Sequence, residues 1–161
     1  MFIPKGYNAK EVVHKNVYDL LGIQSWLLFC EEALITLETI RELTGWMIVV
    51  NTWSFKTRKY DGRNGPFVNR GFRLLDSGVG SITGSHPRGE GFDLDAYDRT
   101  TGNRIAPDNV RKFILDNRSK FPHIKGLEVG INWVHFDTMI RNGYKKGMIR
   151  LFYPDGKTEW V

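Results

Sequence analysis

Two short runs in this chain alternate bulky apolar residues with ionisable ones, and that period of two restricts what each can become. In Phe92-Asp93-Leu94-Asp95-Ala96-Tyr97, extended backbone puts Asp93, Asp95 and Tyr97 on one face, with Phe92, Leu94 and Ala96 opposite. Trp133-Val134-His135-Phe136-Asp137 divides in the same way: Val134 and Phe136 oppose Trp133, His135 and Asp137. A helical winding would scatter both sets around its circumference. Both runs are therefore read as strands, with an apolar face for a core and a polar face for a cleft.

The polar faces carry the residues with chemical potential. His86 stands seven positions before Asp93, in the glycine-flanked stretch Ser85-His86-Pro87-Arg88-Gly89-Glu90-Gly91. Together with His135 it makes a candidate three-ligand zinc site. Three protein ligands leave zinc's fourth position for water or substrate, as in catalytic sites, whereas structural sites fill all four from the protein. The same ligand set also occurs at non-haem iron. Asp95 is the local competitor to Asp93 for the carboxylate position. Cys30 is the only cysteine, which excludes an internal disulfide and cysteine-based zinc spacing. Placed among Trp26, Leu27, Ala33 and Leu34, it is expected to be a buried, inert thiol.

The remaining pattern predicts a single domain over residues 1–161, a length that buries a core without staples. Trp26, Leu27, Cys30, Ala33, Leu34, Leu37, Ile40 and Leu43 recur at helical steps, predicting one packing helix over about 23–44 that Gly45 ends. Trp46 to Trp53 is expected as a buried strand, and Ser54 to Asn69 as an exposed basic loop and possible groove wall. The glycine- and proline-rich stretch from Gly71 to Gly91 predicts irregular backbone. Thr101-Gly102-Asn103 predicts a turn, Pro107 to about Lys120 a helix, and Val129 to Asp137 a third strand. Pro154-Asp155-Gly156 predicts a terminal hairpin. Strands and helices without regular β-α-β alternation indicate an α+β domain, an antiparallel sheet with flanking helices.

The formal net charge is +5, concentrated at Lys56, Arg58, Lys59, Arg63, Arg70 and Arg73 and again at Arg141, Lys145, Lys146 and Arg150. Such surface attracts polyanions at long range but is more often a solvated face. No zinc-finger, helix-turn-helix or RNP-like pattern accompanies it, so specific nucleic-acid binding is not expected. The N-terminus lacks the pattern of a secretory signal, and no apolar run approaches the roughly 20 residues of a membrane helix. The expectation is a monomer, made in a cytoplasm and not membrane-embedded.

Three blocks in order, Gly71-Phe72-Arg73, then His86-x-x-Gly89-x-Gly91-x-Asp93, then Trp133-x-His135-x-Asp137, resemble the signature of the M15 zinc peptidases. These are D-alanyl-D-alanine carboxypeptidases and phage cell-wall endopeptidases. The resemblance implies a hedgehog/D-Ala-D-Ala-peptidase type of fold, with zinc held by His86, Asp93 and His135. Its seven-residue spacing favours Asp93 over Asp95. It further implies hydrolysis of an amide bond in the peptide stem or cross-bridge of bacterial peptidoglycan, by a phage or prophage protein acting on the cell wall. Arg73 is the candidate for a substrate carboxylate, and Ser85 for a further substrate contact. One position departs from the pattern: Asn132 stands where many members carry an acid three residues before the second histidine. An amide cannot shuttle a proton, so the acid/base role passes to Asp137 or Glu128, with Asp137 alternatively a partner of a ligand histidine. The competing expectation is an inactive protein of this fold that binds the wall or serves as a structural virion component.

Overall fold

The computed structural model describes residues 1–54, 59–60, 67–75, 78, 81 and 83–161. Its centre is a six-stranded sheet built on the two alternating runs. These form β4 (Gly91–Tyr97) and β6 (Val134–Asp137), which pair antiparallel in the middle of the order β1-β4-β6-β5-β7-β8. The other members are β1 (Met47–Val49), β5 (Gly126–Glu128), β7 (Arg150–Phe152) and β8 (Thr158–Trp160). Every neighbouring pair is antiparallel except β5 with β7. The domain is thus mixed α and β with a mostly antiparallel sheet, as the pattern predicts.

One face of the sheet is the core. Phe92, Leu94, Ala96, Val134 and Phe136 are all buried there; a short helix α1 (Lys15–Leu21) comes early in the chain, and α2 (Glu31–Thr44) and α3 (Pro107–Asp116) pack on the central strands. Helix α2 contributes Ala33, Leu34, Leu37 and Ile40, each fully buried. Truncating such a leucine to alanine in a packed interior costs about 2–5 kcal/mol. Glu31 and Glu32 lie at its positive end, and Gly45, in the left-handed region at φ 68°, ends it.

Several boundaries differ from the sequence pattern. The expected helix over 23–44 is two pieces: a 3-10 stretch, Gly22–Leu28, and α2, with Phe29 and Cys30 extended between them. The break lets Phe29 stack on Phe92 at 5.1 Å, and lets the Cys30 amide donate to the Gly89 carbonyl. Leu27, counted in the apolar stripe, consequently faces solvent. Cys30 is half-buried rather than buried, and burial with a contact to Glu32 pushes its thiol pKa up.

The expected buried strand from Trp46 to Trp53 is instead the edge strand β1 plus β2 (Trp53–Ser54), which pairs with β3 (Lys59–Tyr60) in a separate ribbon. The helix from Pro107 closes at Asp116, before a 3-10 turn over Arg118–Lys120. The expected strand from Val129 to Asp137 is shorter, β6 beginning only at Val134, and residues 129–133 connect it to β5. The terminal hairpin is as read, its turn closed by the Gly156 amide on the Tyr153 carbonyl. Lys56, Arg58 and Arg63 of the expected basic loop lie outside the described residues.

Candidate metal centre

The polar face of the sheet gathers the candidate ligands by register. Asp93 on β4 lies opposite His135 on β6, and Glu128 on β5 lies opposite His135 from the other side. Directly opposed residues project to the same face, so Asp93, His135 and Glu128 form a row across three strands. His86 arrives from the loop above that row. The loop turns through a Gly89 amide donating to the His86 carbonyl and a Glu90 amide donating to the Ser85 carbonyl. Gly89 has φ 66°, and a Cβ there would lie 2.0 Å from the Leu28 carbonyl oxygen, so this close approach requires glycine.

The ring nitrogens are already assigned to roles by their partners. His86 Nδ1 is 2.8 Å from the Gly71 carbonyl oxygen, so it carries the proton and donates, leaving the Nε2 lone pair turned inward. That Nε2 is 3.2 Å from His135 Nδ1 and 3.3 Å from Asp93 Oδ1. His135 Nδ1 is 2.6 Å from the same Asp93 oxygen. Three donors about 2.0–2.2 Å from a tetrahedral ion stand about 3.3–3.6 Å apart. The 3.3 Å separation falls in that range, the 3.2 Å separation lies just below it, and the third is a hydrogen bond that a metal would replace. The buried group His86, Asp93 and His135 can hold a metal ion.

Behind this group sit the residues that orient it. Asp137 is fully buried, with Oδ2 3.6 Å from His135 Nε2, and both its oxygens accept from Arg141 at 2.6 and 2.8 Å. Room for that carboxylate comes from Gly126, where a Cβ would lie 2.7 Å from Asp137 Oδ2. On the other flank Arg73 Nη2 donates to Asp93 Oδ2 at 2.5 Å, leaving Oδ1 for the cluster. A carboxylate behind a ligand histidine and a cation behind a ligand carboxylate are the usual outer partners of a metal site.

The electrostatics follow from burial opposed by these partners. Burial pushes the His86 pKa below its ordinary value, with Asp93 opposing, so this ring favours the neutral form. Burial also disfavours charge on His135, but Asp137 and Asp93 outweigh it and hold the ring pKa up at about 9. Asp93 and Asp137 are both held below the usual carboxylate range: burial raises each, and the neighbouring rings and, for Asp137, Arg141 more than reverse it. Glu128 differs. Burial raises its pKa, the charge of His135 only partly offsets this, and Asp93 adds to the rise.

The three expected ligands thus come together, and Glu128 joins them on the same face. Asp137, the first expectation for acid/base work, instead lies behind His135 with its oxygens occupied. Arg73, expected to meet substrate, is spent on Asp93 and on the Asn69 carbonyl. Ser85 is buried against Gly91 rather than on an open rim. Asn132 accepts from Arg104 at 3.0 Å.

Two arginines were missed in the sequence reading. Buried Arg111 donates to the carbonyls of Glu128, Ile131 and Trp133, clamping the connection between Glu128 and His135. Its signal was a cation beside Val110, one turn before Ile114, in an otherwise apolar stripe. Arg104, on Asp95, has no pattern that marks it. No family model, curated protein or solved structure matches the chain, so the site geometry and the residue pattern carry the functional conclusion.

Proposed function

We propose that the chain is a zinc-dependent peptidase that hydrolyses an amide bond in the peptide part of bacterial peptidoglycan. The observation that carries this reading is the convergence of His86 Nε2, Asp93 Oδ1 and His135 Nδ1, within 4.8 Å of one another, with Glu128 on the same sheet face. Two imidazoles and one carboxylate suit zinc and leave a position open. Zinc bound there would supply a Lewis acid that polarises a scissile carbonyl and lowers the pKa of water. The substrate class, and a phage or prophage origin, rest on the resemblance of the three sequence blocks to the M15 peptidases.

The chain's own residues then divide the work. Glu128 takes a proton from the attacking water and returns it to the leaving amine nitrogen; its raised pKa suits both halves of that transfer. Asp137, with Oδ2 3.6 Å from His135 Nε2, favours a proton on that nitrogen electrostatically and so leaves Nδ1 for the cluster, while Arg141 holds Asp137. Arg73 keeps Asp93 turned with Oδ1 inward. Burial of the three ligands keeps bulk water from competing for them.

The test is mass spectrometry of fragments released from purified peptidoglycan by the protein as prepared, after chelation, and after zinc is restored. Release that stops on chelation and returns with zinc supports the proposal, and the new termini identify the bond. A second reading, a metal-binding wall or virion protein without turnover, is favoured by Asn132, which occupies the family's acid position and bonds to Arg104. Full zinc content with no release from several wall types would decide for it.

A further inference from the structure

Beside the metal centre lies a cleft of about 670 Å³ that the chemistry above does not use. Arg70, Asp95, Tyr97, Arg104, Asn132 and Trp133 line it, together with Phe67. It adjoins the cluster through two strands: Asp95 is two residues beyond Asp93 on β4, and Trp133 two before His135. At about 3.3 Å per residue, the two carboxylates are about 7 Å apart on one sheet face.

The cleft carries surplus positive charge. Arg70 Nη1 donates to Asp95 Oδ2 at 2.5 Å, and Arg104 Nε donates to Asp95 Oδ1 at 3.0 Å. Two guanidiniums therefore share one carboxylate, leaving a net charge of +1 at the wall. Arg104 is further occupied by the side chain and backbone oxygens of Asn132. Arg70 is not so occupied. Its guanidinium carbon lies 3.5 Å from the centroid of the Phe67 ring, and its Nε and Nη2 have no hydrogen-bond partner among the described residues. A planar cation fixed on an aromatic face, with donors to spare, is preorganised to receive a carboxylate. Trp133, about one-third exposed, supplies an apolar wall beside it.

We infer that this cleft is a specificity subsite for a free carboxylate on the substrate peptide, received by Arg70 about two residues from the bond placed at the metal centre. The spacing follows from an extended peptide's rise of about 3.3–3.6 Å per residue set against the 7 Å offset. The inference rests on the peptidase reading for the orientation of the substrate. It takes nothing from that reading for the charge of the ligand.

The experiment uses the zinc-loaded chain and two tripeptides acetylated at the N-terminus and amidated at the C-terminus, one bearing a free side-chain carboxylate and the other its carboxamide. Calorimetry measures binding, and mass spectrometry measures cleavage separately. The carboxylate peptide is expected to bind about tenfold more tightly. Arg70→Gln is expected to erase that difference with zinc stoichiometry and circular dichroism unchanged, and Arg70→Lys to retain part of it. Equal affinity of the two peptides for the wild-type chain overturns the subsite, whatever the variants do and whether or not cleavage occurs. Charge discrimination in binding without cleavage of either peptide supports the subsite, and the release of fragments from peptidoglycan then decides the peptidase reading separately.

Discussion

Asp93 and Asp95 are two residues apart on one strand, share a face and are both buried, yet they serve opposite ends. Asp95 meets two guanidiniums, whose protons cannot be displaced at any ordinary pH, so its oxygens are closed to a metal. Asp93 meets one guanidinium on Oδ2 and two imidazoles on Oδ1, and imidazole lone pairs become available once a proton leaves. The kind of cation beside a buried carboxylate decides whether it is a structural anchor or a ligand. The same contrast recurs between Asp137, locked by Arg141, and Glu128, which is partly buried with its pKa raised by that burial.

The largest expected effect breaks the first contrast. Asp93→Ala should weaken zinc binding by more than about a hundredfold, since loss of partners merely behind a ligand already costs about 10–100-fold. Asp95→Ala should leave zinc affinity within a few-fold but cost about 3–5 kcal/mol of stability, because two part-buried arginines lose their counter-charge. Calorimetric zinc titration and urea unfolding of both variants read the two outcomes. Equal loss of zinc affinity in both would dissolve the distinction.

The second contrast is tested by paired isosteres. Glu128→Gln should lower turnover by about 10²–10⁴-fold with zinc content unchanged, as expected when a general acid/base is lost. Asp137→Asn should act chiefly on the metal, weakening zinc by about 10–100-fold. If Asp137→Asn abolished turnover in fully zinc-loaded protein, the roles would have to be exchanged.

The strands and their polar faces were legible because alternation sets which residues share a face. That was enough to group Asp93 with Asp95, and His135 with Asp137. Alternation does not name the neighbouring strand, so the pairing of Glu128 with His135 was not legible; nor was the reach of Arg141 back to Asp137. His86 was legible only through its spacing to Asp93 and the resemblance of that block, because its position depends on the Gly71 carbonyl and the close approach at Gly89. The break at Phe29 and Cys30 was hidden by an unbroken apolar period. It is the stacking of Phe29 on Phe92 that overrides the period.

The smallest expected effect concerns protons. In the metal-free chain the His135 pKa is held up at about 9, against about 6.5 for an unperturbed ring. A raised folded pKa contributes stability that is fully present below about pH 6.5 and is lost as pH rises through about 9. Metal uptake near pH 7 must displace that proton, whereas the neutral His86 has none to give at Nε2, so about one proton should be released per zinc. Calorimetry in buffers of different ionisation enthalpy measures that number, and a value near zero would mean the metal does not bind at His135.

The most direct test of the central claim is X-ray absorption at the zinc edge of the loaded protein. The account predicts nitrogen and oxygen scatterers at about 2.0–2.2 Å with the multiple scattering of two imidazoles, and no sulfur. A sulfur shell near about 2.3 Å, or a shell of oxygens without imidazole, would place the metal elsewhere and contradict the centre built on His86, Asp93 and His135.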